Sequence, residues 1–172
     1  MIRTRVIPTL LLRNGGLVKG QKFKAHKYVG NPINAVKIFN EKEVDEIAFL
    51  DISEETKEFG PDFELIRDIA SELFIPLSYG GGLKKISDVE KLLFSGVEKA
   101  IFNTQAHNQP RLVEEVAKIV GSSSIIVSID VRKSLLGKYE VYINNGRQRT
   151  KKCPVEYAKF MEGLGAGELM VC

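Results

Sequence analysis

Tryptophan is absent from the 172 residues, cysteine occurs only twice, and the net charge is only +3. Cys153 and Cys172 give neither a disulfide framework nor a metal-ligand spacing, so a reducing, cytoplasmic setting is the expectation. A charge of +3 carried by interspersed lysines and glutamates is too small to argue for a nucleic-acid surface. No apolar run approaches the roughly 18 residues that cross a bilayer. Met1-Ile2-Arg3-Thr4-Arg5 leads straight into a strand-like segment, so no signal peptide is expected. His26 and His107 are too isolated to hold a metal, and no cofactor is implied. What remains is 44% hydrophobic and 27% charged residues, the composition of a globular protein. The length suggests one domain over residues 1–172.

The hydrophobic pattern alternates short apolar runs with helical stripes. Arg5–Leu12, Glu46–Ile52, Ile75–Ser78, Lys99–Asn103, Ile125–Asp130 and Glu168–Val171 read as strands. Between them, Asn31 and Pro32 open a helix as N-cap and first helical residue. Further helical stripes cover Pro61–Leu73, Ser87–Ser95, Pro110–Val120 and Tyr157–Leu164, with Ser87 as a cap and Gly96 and Gly121 as stops. Lys138–Thr150 alternates apolar and polar residues around Asn145-Gly146, a dipeptide that favours a type I′ turn, and so reads as an inserted hairpin. Whether this hairpin is a lid or a partner surface stays open.

Strands that are apolar on both faces and separated by helices point to a parallel sheet. The first βα connection lacks G-x-G-x-x-G, which weakens a Rossmann sheet. Asp51, Gly80–Gly82, Asn103-Thr104 and Asp130 instead cluster at the C-terminal ends of strands, where a TIM barrel keeps its site. A weak internal repeat agrees. Val6–Arg13 aligns with Ile125–Arg132 at an offset of 130 − 11 = 119, and Asp45–Phe49 aligns with Gly167–Val171 at 168 − 46 = 122. The expected fold is therefore an α/β (β/α)8 barrel of two half-barrels, residues 1–121 and 122–172, with the chain stopping inside strand six. Six staves would leave long apolar edges, so a fragment that aggregates or self-pairs is expected.

Several stretches carry a family resemblance. They are Arg5–Pro8, Gly15–Gly20, Glu46–Ile52, Pro76–Gly82, Phe102–Thr104, Ser128–Asp130 and Gly165–Glu168. On these the sequence resembles the cyclase subunit of imidazole glycerol phosphate synthase, a TIM barrel of histidine biosynthesis. The resemblance implies a heterodimer with a glutaminase, whose ammonia enters at the N-terminal face and meets a phosphorylated ribulose substrate at the C-terminal face. It also implies an aspartate acid–base pair at the ends of strands one and five. Asp130 matches the second, and Leu11 stands at the first. A divergent branch carrying Leu-Leu-Leu in strand one is more similar still at Leu10–Leu12. That branch is associated with surface-polysaccharide genes and with a sugar amidotransferase that forms acetamidino groups.

Each residue so singled out also has a plainer reading. Asp130 suits proton transfer or a loop cap. Gly80, Gly81 and Gly82 admit a phosphate to backbone N–H groups or simply form a turn. Asn103 and Thr104 add side-chain donors, and the resemblance implies phosphate binding there too. Lys19, in the Gly-rich segment Gly15–Gly20, covers an anionic ligand or is solvated. Asp51 faces the mouth or orders a loop. Arg5, Glu46, Lys99 and Glu168 stand at strand entrances, where charges must pair. They form a salt-bridged plug or, as the resemblance implies, an ammonia gate. The function is then an ammonia-using cyclase-type enzyme, or a non-catalytic barrel that conducts ammonia to another enzyme.

Overall fold

The computed structural model describes residues 4–21, 23–134 and 137–172. It comprises two compact units, residues 1–100 and residues 101–172.

The first unit runs β1 (Thr9–Arg13), β2 (Gly16–Gln21), β3 (Lys24–Gly30), α1 (Pro32–Glu41), β4 (Ile47–Asp51), α2 (Glu54–Phe59), α3 (Phe63–Ser71), β5 (Leu77–Gly80) and α4 (Ile86–Phe94). β6 (Lys99–Phe102) crosses into the second unit. β4 is parallel to β1 on one side and to β5 on the other. Ile47, Ala48 and Phe49 are consecutive and fully buried, so β4 is covered on both faces, as parallel strands under helices are. Val36 of α1, Ile66 and Ile69 of α3, and Val89 and Leu92 of α4 are buried as well. Each such side chain contributes roughly 1.5–3 kcal/mol of burial. Asn31 caps α1 as expected, its Oδ1 accepting from the N–H groups of Ile33 and Asn34, with Pro32 first in the helix.

Most of the Gly-rich segment Gly15–Gly20 lies in strand β2, antiparallel to β1 and to β3. Arg13 pairs with Gly16 across Asn14-Gly15, whose φ values are 51° and 73°. That is the backbone of a two-residue hairpin turn with both residues left-handed. Other differences are local. Lys85, not Ser87, is the N-cap of α4, and Asp88 accepts from the N–H groups of Lys84 and Lys85. Gly80 is the last residue of β5, paired with Leu50. The short helix α2 was not expected.

The second unit continues with α5 (Thr104–Asn108), α6 (Pro110–Val120), a 3-10 turn (Ser122–Ser124), β7 (Ile125–Lys133), β8 (Tyr139–Ile143), β9 (Gln148–Arg149), α7 (Pro154–Gly163) and β10 (Glu168–Val171). The first part of β7 pairs in parallel with β10, and its last four residues pair antiparallel with β8. The expected hairpin is present, but Ile143 pairs with Gln148. The connection is thus four residues, Asn144–Arg147, rather than a two-residue type I′ turn. Gly121 ends α6 at a φ of 87°.

The weak repeat acquires a structural counterpart in register. Thr9 lies opposite Ala48 in the first unit, and Ser128 lies opposite Met170 in the second. The offsets of 119 and 122 relate those two pairs residue for residue. Both sequences also run strand, antiparallel strand, third strand, helix, parallel strand.

Candidate functional site

In the first unit a charged cluster forms at the start of β4. Glu46 is 2% exposed. Its Oε2 accepts from Lys99 Nζ at 2.7 Å and from Arg5 at 3.1 Å, and its Oε1 accepts from the Ser78 hydroxyl. Three of the four charges expected at strand entrances are therefore brought together. A carboxylate this buried persists only with such partners. Ser78 was missed because it looks like an ordinary strand residue, and only the parallel pairing of β4 with β5 brings it to Glu46.

Asp51, at the other end of β4, orders a loop. Its Oδ1 accepts from Ser53 N–H at 2.9 Å and Ser53 Oγ at 2.5 Å. Its Oδ2 accepts from Thr56 Oγ1 at 2.7 Å and Tyr79 OH at 3.3 Å. Burial first, and the neighbouring Asp51 carboxylate second, push the Tyr79 hydroxyl far above its usual titration range. Ser53 Oγ also accepts from Asn14 N–H at 2.9 Å, which ties the β1–β2 turn to this loop.

Gly81 and Gly82 pack against the same loop. Both have left-handed φ values, 135° and 70°. A Cβ on Gly81 would lie 2.5 Å from the Asp51 carbonyl oxygen, and one on Gly82 would strike the Thr56 carbonyl oxygen. Close backbone packing therefore demands both glycines, whatever they bind. Gly81→Ala and Gly82→Ala are each expected to cost about 1–3 kcal/mol, read from denaturant midpoints. Lys19 stands on β2 opposite Lys27.

In the second unit the polar residues gather around Asp130. This residue is 6% exposed. Its Oδ1 accepts from Asn103 Nδ2 at 3.1 Å, and the backbone N–H of Gly146 also favours the charged carboxylate. Asn103 Nδ2 also reaches the Ser128 carbonyl at 3.0 Å. Thr104 Oγ1 donates to Asn103 Oδ1 at 3.2 Å and accepts from Asn144 N–H at 2.9 Å. Burial pushes Asp130 up to about 6, against the two donors that favour its charged form. Strand β7 runs on to Lys133, so Asp130 lies not at the expected strand end but where the parallel pairing with β10 gives way to β8; a carboxyl poised near neutrality there can both take and give a proton. Asn103, Thr104 and Asp130 are thus one connected group. Glu168 begins β10 opposite Ile126, four residues before Asp130 along β7, which places it about 13 Å away at the other end of the strand pair.

Leu11 holds the position on β1 that the 119-residue offset assigns to Asp130. It pairs antiparallel with Val18 as Asp130 does with Tyr142. No carboxylate stands there. Among the described residues no group of three or more histidine, cysteine, aspartate or glutamate side chains is placed to hold a metal, and no helix is long and apolar enough to cross a membrane.

Residues 5–172 match the family model described as histidine biosynthesis protein. The chain belongs to that family. Its alternating parallel strands and helices are those of a TIM-barrel family. A Pseudomonas aeruginosa protein, provisionally named as imidazole glycerol phosphate synthase subunit hisF2, is 47% identical over 171 residues, 99% of this chain and 68% of that protein. The imidazole glycerol phosphate synthase subunit HisF of Thermococcus onnurineus is 38% identical over 172 residues, 99% of this chain and 68% of that protein. The HisF subunit of an Exiguobacterium species is 39% identical over 171 residues, 99% of this chain and 67% of that protein.

Proposed function

We propose that the chain is a cyclase-subunit-like protein that accepts ammonia from a glutaminase partner and uses it on a phosphorylated substrate. The observation that carries this reading is Asp130, a buried carboxyl where β7 passes from its parallel to its antiparallel pairing, held by Asn103 and poised near pH 6. It takes and returns the protons that addition of an amine to a carbonyl and loss of water require. The Gly80–Gly82 segment and the Asn103–Thr104 segment are each proposed to contact phosphate, and Lys19 to cover an anionic ligand. The Glu46 cluster with Arg5 and Lys99 is proposed as the ammonia gate, with Glu168 as a further member. Chemistry of the histidine-pathway type and acetamidino-sugar formation both fit a substrate of this class. The setting proposed is the cytoplasm.

Leu11 specifically favours a second reading. Acid–base work normally uses two groups in different environments, and this strand supplies none. The chain would then activate a glutaminase and pass ammonia to a separate sugar amidotransferase.

Turnover of the phosphorylated ribulose substrate with ammonium salts separates the two. The first reading expects product from the wild-type chain and a gain of at least tenfold from Leu11→Asp, on the scale of one general acid or base. No product from either the wild type or Leu11→Asp would favour the conducting role.

A further inference from the structure

The turn between β8 and β9 has an unusual backbone. Asn144, Asn145 and Gly146 are consecutive and all left-handed, with φ values of 56°, 55° and 68°. Only glycine adopts this region freely, and L residues there, even asparagine, rarely follow one another. Such a turn persists only where its surroundings hold it. The holding contacts lead to one place. The Gly146 backbone N–H favours the charged form of the Asp130 carboxylate. The Asn144 N–H donates to Thr104 Oγ1, whose own hydroxyl donates to Asn103 Oδ1, and Asn103 Nδ2 donates to Asp130. Arg132 pins the turn from outside, donating to the Gly146 carbonyl at 2.8 Å while its guanidinium lies 5.2 Å from the Tyr142 ring centre.

We propose that this three-residue turn is the element that positions Asp130 and sets its proton affinity, with Arg132 and Thr104 as the positioning residues that hold the turn in place. One arm ends in the Asn103 donor to the carboxylate and the other is the Gly146 N–H, and both favour its charged form against the burial that disfavours it. Loosening the turn weakens both influences at once. The other groups facing Asp130 are few. The Cys172 thiol at the end of β10 is held up by burial, with Asp130 also raising it. Tyr142 lies opposite Asp130 on β8, and Arg132 is two residues along β7. The inference concerns the titration of Asp130 and stands apart from the ammonia reading. Only its consequence for rate rests on that reading.

The test is the carboxyl 13C titration of Asp130 in the full chain, assigned by its disappearance in Asp130→Asn, together with hydrogen exchange of the Gly146 amide. Thr104→Val decides, because it breaks one arm without changing any charge. Its Asp130 midpoint is expected to rise by about half a unit or more, as a weaker hold on the Asn103 donor to the charged form requires. Its Gly146 amide is expected to exchange roughly tenfold faster, as an opening turn requires. Arg132→Gln, which keeps a donor, is expected to shift the midpoint less than Arg132→Ala. An unchanged midpoint in Thr104→Val, in a protein whose circular dichroism matches the wild type, would overturn the proposal. Faster Gly146 exchange with no midpoint shift would overturn it equally.

Discussion

Asp130→Asn is expected to lower ammonia-dependent turnover by about a hundredfold to ten-thousandfold, the usual worth of a positioned acid or base, while raising stability at pH 7.5. The two effects share one cause. Burial holds the Asp130 carboxyl at about 6 in the folded chain, against about 3.9 for an exposed aspartate. Between those values the folded state keeps the proton that the unfolded state has lost. The contribution to stability is therefore complete below about pH 4, falls as pH rises through about 6, and stays low above it. A difference of about two units corresponds to roughly 3 kcal/mol. The amide introduced by the substitution would still present one hydrogen to the donors around it, which takes back part of the gain. An increase of about 1–2 kcal/mol at pH 7.5, vanishing near pH 4, is the expected result of paired denaturant melts. A variant that loses activity while gaining stability marks a group retained for chemistry rather than for packing.

Glu46→Leu has the second large expected effect, in the opposite direction. Glu46 is buried and receives Lys99, Arg5 and the Ser78 hydroxyl. Removing one member of a buried ionic group costs about 3–5 kcal/mol, because its partners keep their charge in a place water reaches poorly. Lys99, with its side chain 13% exposed, suffers most. Arg5, with its side chain 45% exposed, can turn toward solvent and suffers less. Glu46→Gln keeps the shape and one acceptor and is expected to lose about half as much. Added salt should change the loss little, since screening acts weakly on buried pairs. A loss below about 1 kcal/mol for Glu46→Leu would place this cluster with ordinary surface pairs.

Much of the fold is legible because its signals are local. Asn31-Pro32 predicts both the cap and the first residue of α1, and Glu168–Val171 is observed as the strand its apolar run suggests. The β2–β3 pair is not legible from periodicity. Lys19, Lys24, His26 and Lys27 leave no apolar alternation, and the pairing is irregular in register. The one usable signal there was Asn14-Gly15, a stronger hairpin turn than Asn145-Gly146, which proves to lie within a four-residue connection. Around the candidate site, Asp130 is visible as a carboxylate following an apolar strand. The groups that govern it are not. Gly146 acts through a backbone N–H, which no side chain advertises, and Thr104 reaches Asn144 across forty residues. Asp51 could not be assigned from sequence because Tyr79 joins Ser53 and Thr56 around it only once β4 pairs with β5.

Transfer of 15N from ammonium to product reads the proposed chemistry without relying on any partner. The purified chain is incubated with 15N-ammonium and the phosphorylated ribulose substrate across pH 5–8, and the product nitrogen is counted by mass spectrometry. Incorporation by the wild type that rises through an ionisation near pH 6, and that falls at least a hundredfold in Asp130→Asn, is the result predicted. Equal incorporation by the wild type and Asp130→Asn, with no inflection near pH 6, would contradict the assignment of proton transfer to Asp130.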